Sequence, residues 1–320
     1  MRALPSQFEP YAWAPSTEAI ARLAGIPPEQ VLRYDGNTPP RPQPWATAAA
    51  LEHELARINT YRHGGYPDIH AAIGRYAGVE PENVVLGAGA DDLIMLTARA
   101  YAAPGDVVSV ADEPTYPVYR VAAWVAGADV GDGDPVLTFC CRPHNPTGAL
   151  VEVPDARPLA VDEAYFEYAG GATAVPLIED EEVIVIRTFS KAFGLAGARI
   201  GYALAAPELA AELNERQAPA PVSSLSVALA LAGLADPPDV SETAEERERF
   251  TAELRRIGLE PLPSWTNFVS VPLEDAAAVA DALLRRGLAV RPSPGAIRIT
   301  VRDRPDDDVL LQALEELLDR

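Results

Sequence analysis

The chain has 320 residues, enough for one large core and a smaller lobe, and a formal charge of −21. That charge, with no basic stripe beyond pairs such as Arg255-Arg256 and Arg285-Arg286, argues against nucleic acid as a partner. No stretch has the apolar length that crosses a bilayer, and residues 1–9 carry neither an apolar core nor a small-residue cleavage site, so the expectation is a cytoplasmic protein with no membrane partner.

Residues 1–40 are punctuated by proline and predict an arm, with a short amphipathic helix at 17–23 and an extended piece through Asp35-Gly36-Asn37-Thr38-Pro39-Pro40. Strong helix formers at 46–57 open the main body. Gly64-Gly65-Tyr66-Pro67-Asp68 then breaks the chain before a helix ending near residue 76. From there the pattern alternates: strand 84–86, helix 90–101, strand 107–110, helix 118–126 and strand 136–140. Strands at 159–161, 183–186 and 200–203 continue it. Such alternation predicts an α/β fold, with a mainly parallel sheet covered by helices. The only cysteines, Cys140 and Cys141, are adjacent at a strand end, which suits buried packing and supplies no disulfide framework. Beyond Pro221 a helical tract runs to about 235 and a charged helix spans 241–257. After Gly258 the order is strand, helix and strand, closing with a strand at 297–301 and a helix from 305 that has Asp306 to Asp308 in its first turn. This tail reads as a smaller α+β lobe. The sharpest compositional break is Ala218-Pro219-Ala220-Pro221, which gives an arm at 1–40, a large domain at 41–221, and a linking helix with a small C-terminal domain at 222–320.

Of 26 basic residues one is lysine, Lys191. A stray surface lysine would account for it alone, but its surroundings point elsewhere. It follows Val183-Ile184-Val185-Ile186, a β-branched run of the kind buried on both faces of a parallel sheet, and so lies just past a strand's carboxyl end, where open α/β sheets hold ligands. A primary amine can lose its proton and attack a carbonyl, which a guanidinium cannot. Thr188 and Ser190 add hydroxyls, Gly194 and Gly197 permit close approach, and Arg199 offers a fork suited to phosphate.

Gly87-Ala88-Gly89-Ala90-Asp91-Asp92 leaves a strand and opens a helix, so free amides and the positive helix end point outward together. Lacking a third glycine, it is a weak signal that steric need alone would explain. Asn145-Pro146-Thr147-Gly148 is a tight turn that either aims a side-chain amide into a cleft or forms a structural Asx turn. Asp162 ends an apolar strand, a costly place for a carboxylate unless a cation meets it. Tyr116, in Pro114-Thr115-Tyr116, is a core tyrosine or a stacking platform, and Tyr119 fits the core better. Arg298, between Ile297 and Ile299, pairs with a structural acid or awaits an anion. Arg291 closes the strand 288–290, with surface placement as the rival reading.

The stretch Arg187-Thr188-Phe189-Ser190-Lys191-Ala192-Phe193-Gly194-Leu195-Ala196-Gly197-Ala198-Arg199 closely resembles the Schiff-base segment of fold-type I pyridoxal-phosphate aminotransferases, most nearly the histidinol-phosphate aminotransferase family. The resemblance covers about residues 34–320. It implies a mainly parallel sheet of the seven-stranded type sandwiched by helices, a smaller α+β C-terminal domain, and pyridoxal 5′-phosphate as cofactor. Lys191 is then the lysine joined to the cofactor and the general base. Asp162 meets the protonated pyridine nitrogen, and Tyr116 stacks on the ring. Asn145 and Tyr165 bond the phenolic oxygen, while Ala90, Asp91, Ser190 and Arg199 hold the phosphate. Arg298 takes the α-carboxylate, Arg291 takes a distal phosphate or second carboxylate, and Asn37 and Asn267 line the same cleft. Tyr66 reaches the neighbouring subunit's cofactor phosphate, which implies a homodimer. No metal is called for. Departures from the family are His144 for an asparagine, Gly65 for an arginine, and shortened segments at 145–162 and 291–298. The implied partners are a small amino donor and a keto acid acceptor. The leading pairs are glutamate/2-oxoglutarate and histidinol phosphate/imidazole acetol phosphate, in histidine biosynthesis. Aromatic amino acid transamination and threonine-phosphate decarboxylation on the same fold are the alternatives. A ligand-sensing transcription regulator would need an added DNA-binding domain, for which the arm is too short and too rich in proline.

Overall fold

The computed structural model describes residues 8, 10, 11, 13–180 and 182–318; of residues 1–9, read above for an export signal, only Phe8 falls within them. Helix Thr17–Ala24 starts where the Ser16 side chain accepts from the Ala19 amide and stops at Gly25 in the left-handed region. Strand β1 (Leu32–Arg33) follows, then helices Ala48–Leu55 and Pro67–Ala77.

The large sheet contains β2 (Val84–Gly87), β3 (Val107–Val110), β4 (Asp129–Val130), β5 (Leu137–Cys141), β6 (Leu159–Asp162), β7 (Val183–Thr188) and β8 (Gly201–Leu204), in the order β2-β8-β7-β6-β5-β3-β4. It is mainly parallel, as the alternation predicts; only β8 runs against its neighbours, β2 and β7. The alternating side chains of β7 divide between two cores. Ile184 and Ile186 pack with Leu93, Ile94 and Tyr119 of the helices on one face, and Val183 and Val185 pack with Ile69, Ile73 and Val227 on the other. The sheet is therefore covered on both sides, and its carboxyl edge is left to loops.

The second unit holds β9 (Phe268–Pro272), β10 (Leu288–Ala289), β11 (Arg291–Ser293) and β12 (Ala296–Thr300), with β11-β12-β9 antiparallel. Helices Ser241–Arg256, Ala276–Leu284 and Arg304–Leu318 contribute the other half of its core. The arm is fastened here: β1 pairs in parallel with β10, and Tyr34 is buried in this core with its hydroxyl donating to Asp306 O at 2.5 Å. Arg291 opens β11 and does not close the preceding strand, because Val290 breaks the pairing between β10 and β11. Helix Pro207–Glu215 and the short strands β1 and β4 were not expected. A two-residue strand carries no period to read, and Pro207 looks like a break although the first helical turn tolerates it. Among the described residues no helix is long and apolar enough to cross a membrane, and no group of three or more His, Cys, Asp and Glu is placed to hold a metal ion.

One buried ion pair locks the ends of β6 and β7 together. Arg187 Nε and Nη2 donate to Glu163 Oε2 at 3.0 and 2.9 Å, Nη2 also donates to Thr173 Oγ1 at 2.8 Å, and the guanidinium lies 3.4 Å from the Phe166 ring centroid. Glu163 follows Asp162 directly, and Arg187 stands four residues before Lys191, so the pair fixes both ends of the candidate site. Arg187→Met strands a buried carboxylate and should lower the unfolding free energy by about 3–5 kcal/mol. Adding Glu163→Gln should recover part of that loss, as read by urea denaturation of the single and double variants.

Candidate active site

Strands β5 and β6 end level, Cys141 pairing with Asp162, and β7 runs two residues past Ile186, the partner of Asp162, to Thr188. The turns beyond them therefore deliver Asn145, Asp162 and Lys191 to one cleft at the carboxyl edge of the sheet. Lys191 Nζ donates to Gly36 O at 3.2 Å and lies 5.6 Å from the centroid of the Tyr165 ring. The side chain is partly exposed, and its amine lies among Gly36, Tyr165, Asp162 and Arg298. Burial first, and then the Arg298 guanidinium, push the ammonium down to about 8, against Asp91 and Asp162, which favour its charge. At neutral pH the ammonium still predominates, but the uncharged share is far larger than for an ordinary lysine.

Asp162 is buried. Its Oδ2 accepts from the Tyr119 hydroxyl at 2.7 Å and its Oδ1 from the Ala164 amide at 3.0 Å; neither donor is a cation. Burial pushes its pKa up to about 6, while Tyr119, Ala164 and Lys191 favour the charged form. Tyr119, which the sequence places in the core, is a core residue and also the carboxylate's partner. Tyr116 donates to Asp91 Oδ1 at 2.8 Å, and burial followed by the Asp91 charge raises its pKa, keeping it a neutral donor.

A cup lies at the start of helix Ala90–Tyr101. Gly89, with φ of 96°, precedes it, and a Cβ there would come within 2.9 Å of Arg199 Nη2. Arg199, itself left-handed at φ 51°, donates to Ala196 O at 3.1 Å and Ala88 O at 3.3 Å, and Asp91 Oδ2 stands 3.4 Å away. Ser190 Oγ accepts from the Thr188 hydroxyl at 3.0 Å, which leaves its own proton for another acceptor. Ala90, Asp91 and Arg199 thus meet at this helix start.

The opposite wall comes from the arm and the second unit. Arg298 Nη1 donates to Asn145 Oδ1 at 2.6 Å and Nη2 to Asp35 O at 2.9 Å. An arginine only donates, so the Asn145 oxygen must face it and the amide NH2 is the end offered to an acceptor. Asn37 is buried in the left-handed region at φ 51°; its backbone amide donates to Thr300 Oγ1 at 2.9 Å and its Nδ2 to the Tyr165 hydroxyl at 2.9 Å. It meets Tyr165, not the open cleft. Burial raises the Tyr165 hydroxyl above its usual value, against the pull of Arg298. The variant His144 clasps the Asn145 turn: Nε2 lies 2.9 Å from Asp112 O and Nδ1 2.7 Å from Thr147 Oγ1, and burial lowers its pKa, which makes it a neutral strut.

Three more of the expected residues lie outside this cluster. Arg291 faces Arg298 across the β11–β12 ladder and lies 5.9 Å from the ring of Tyr11, at a cavity of about 560 Å³ bordered by Arg33, Gly36 and Arg302. Tyr11 belongs to an aperiodic, Pro-rich stretch, and nothing in the sequence marked it. Asn267 lines a separate cavity of about 560 Å³ with Arg41, Tyr168 and Ala192, and its Oδ1 has no hydrogen-bond partner. Tyr66 lies away from the cluster, with its hydroxyl donating to Val222 O at 2.8 Å.

A primary amine for an aldehyde, a buried acid for a ring nitrogen, amide and hydroxyl donors for a phenolic oxygen, and a cup that a Cβ would fill together fit pyridoxal phosphate. Such a set on a mainly parallel seven-stranded sheet defines a pyridoxal-phosphate enzyme of fold type I. The family model for class I and II aminotransferases matches residues 30–134 and 131–314. The histidinol-phosphate aminotransferase of Thermoanaerobacter pseudethanolicus is 36% identical over 301 residues, covering 82% of this chain and 86% of that protein. Histidinol-phosphate aminotransferase 1 of Dechloromonas aromatica is 32% identical over an alignment of 352 residues, covering 97% and 96%. Among solved structures, histidinol-phosphate aminotransferase from Sinorhizobium meliloti in complex with pyridoxal-5′-phosphate superposes with a TM-score of 0.84 at 28% identity, covering 98% of each chain. The chain belongs to the class I and II aminotransferase family, as a pyridoxal-phosphate-dependent aminotransferase close to the histidinol-phosphate aminotransferases.

Because Lys191 is the sole lysine, its titration can be followed directly. In the cofactor-free chain, labelling by an amine-selective reagent should rise through a midpoint near 8, not the ordinary 10.5. Arg298→Gln removes a cation that disfavours the ammonium, so the midpoint should move upward; peptide mapping separates Lys191 from the α-amino group.

Proposed function

We propose that the enzyme moves an amino group between glutamate/2-oxoglutarate and histidinol phosphate/imidazole acetol phosphate, in histidine biosynthesis. The observation that carries the chemistry is the Lys191 amine, poised near neutrality within reach of Asp162 and Tyr165. The choice of a phosphorylated substrate is supported by the relatives' shared name and by Arg291, which borders a cavity beyond Gly36 shared with Arg302 and the Arg33–Asp35 pair.

Pyridoxal phosphate, when bound, supplies a protonated ring that draws electrons from the substrate's α-carbon. Lys191 Nζ would be the base that takes the proton from that carbon and would deliver it to the bound group. Asp162 meets the ring nitrogen and holds its charge. The Asn145 NH2 and the Tyr165 hydroxyl donate to the phenolic oxygen, and Tyr116 lies against the ring. The amides of Ala90 and Asp91, with Ser190 and Arg199, receive the phosphate. Arg298 receives the substrate α-carboxylate and Arg291 the distal anion, while Asn37 holds the Tyr165 hydroxyl and Asn267 lines the neighbouring cavity. In this reading the large unit, 41–221, carries the cofactor contacts. The arm, 1–40, and the unit at 222–320 carry the substrate contacts. Tyr66, turned away from its own site, serves the site of a second copy in a homodimer, and the enzyme works in the cytoplasm.

The test is a panel of amino donors with 2-oxoglutarate. Histidinol phosphate should exceed phenylalanine by at least about tenfold in kcat/KM, since a site built for a polar group rejects the analogue lacking it. Equal values would sink the narrow assignment and leave the aminotransferase standing. Lys191→Ala should cost on the order of 10²–10⁴-fold or more in transamination.

A further inference from the structure

Tyr119 sits in the first turn of helix Val118–Ala126, which packs on the large sheet. Its ring stacks on Phe139 of β5, with centroids 5.2 Å apart and planes 16° from parallel, and meets Tyr116 edge-on at 5.8 Å. It is completely buried. A phenylalanine would fill this space equally well. A buried hydroxyl is costly unless it finds a partner, so its presence has to be explained by the partner it finds. That partner is Asp162 Oδ2, at 2.7 Å.

The Asp162 carboxylate is held from two directions: the Ala164 amide, from its own turn, takes Oδ1, and Tyr119, from a helix on the far side of β5, takes Oδ2. One donor alone would leave the carboxylate free to swing; two donors at different oxygens fix its plane. The charged groups facing it are Asp91, at the start of the neighbouring helix, which disfavours its charge, and Lys191, which favours it. Cys141, its register partner on β5, also lies against Tyr119, and burial holds that thiol protonated. Of the groups that oppose the effect of burial on Asp162, Tyr119 is the largest. Burial and the carboxylate itself keep the Tyr119 hydroxyl far from ionising, so it remains a donor throughout the working pH range.

We propose that Tyr119 is a positioning residue, whose hydroxyl holds the Asp162 carboxylate in one orientation and in its charged form to meet the cofactor's ring nitrogen. This rests on the role given to Asp162 above. A hydrogen bond to a charged group is worth more than one to a neutral group, and here it lies in a site that excludes water.

The experiment uses the full chain with Tyr119→Phe, Phe139→Leu and Asp162→Asn. It measures the dissociation constant for pyridoxal phosphate, the melting temperature, kcat and KM, and the ¹³C titration of the Asp162 carboxyl in the cofactor-free protein. Tyr119→Phe should raise the dissociation constant on the order of tenfold and lower kcat more than it changes KM. It should also move the Asp162 midpoint upward, because a donor to the charged form is lost. Phe139→Leu, which keeps the hydroxyl, should lower the melting temperature with a smaller shift of that midpoint. The proposal is overturned if Tyr119→Phe binds the cofactor and titrates Asp162 like the unaltered protein, if it fails to fold, or if Phe139→Leu shifts the midpoint as far. Should Asp162→Asn also leave cofactor binding untouched, the role of Asp162 fails and the proposal with it; an effect of Asp162→Asn alone overturns only the part given to Tyr119.

Discussion

The amine of Lys191 is held where burial and Arg298 disfavour its charge while Asp91 and Asp162 favour it, and that balance is the constraint on which the rest of the molecule depends. A lysine in open water would stay protonated at neutral pH, and one buried without acids nearby would lose its charge well below it. The position is set by the sheet. Adjacent parallel strands run in register to Asp162, so Asp162 and Lys191 arrive at one edge, and the Glu163–Arg187 pair beneath them keeps those ends from sliding. A buried ion pair contributes little net stability, so its use here is geometric: it ties the residue after Asp162 to the strand that leads to Lys191.

The cleft is arranged by donors whose direction is forced. Arg298 can only donate, and it turns the Asn145 amide so that its NH2 is presented. Asn37 holds a left-handed backbone, costly for a residue with a side chain, and is kept there by the Thr300 hydroxyl and the Tyr165 hydroxyl. Both devices cross between parts of the chain that lie far apart in sequence. Asp35, Gly36 and Asn37 come from the arm, Arg298 and Thr300 from β12, and Asn145 and Tyr165 from the large sheet. None of the three alone encloses Lys191. The small unit therefore does more than cover the cleft: through Arg298 it adds to the effect of burial in disfavouring the charge of the amine, and it orients the amide opposite it.

Much of the fold could be read from local pattern. The run at 183–186 is β-branched and apolar without alternation, which only a strand covered on both faces satisfies, and it is buried throughout. Helices at 90–101 and 118–126 end where glycine or the loss of apolar period stops them. The site's chemistry was legible wherever a residue type was itself the signal: one lysine among 26 cations, one carboxylate closing an apolar strand, and one Asn-Pro-Thr-Gly turn. What could not be read were contacts between residues distant in sequence. Tyr119 reads as a core tyrosine because its ring is one; that its hydroxyl reaches Asp162 depends on how helix Val118–Ala126 sits over β5. Tyr11 and the carbonyls of Asp35 and Gly36 carry no periodicity and no distinctive chemistry, yet they stand beside the two arginines and the amine.

By itself, the sequence determined that this chain builds a mainly parallel sheet with an amine, an acid and an amide at its carboxyl edge, because hydrophobic period and residue chemistry are local properties. The tertiary structure decided how those groups are charged and which way they face. Burial depth, the approach of Arg298 and the capture of Asn37 by Thr300 depend on distances between segments more than a hundred residues apart, and no local pattern encodes such distances.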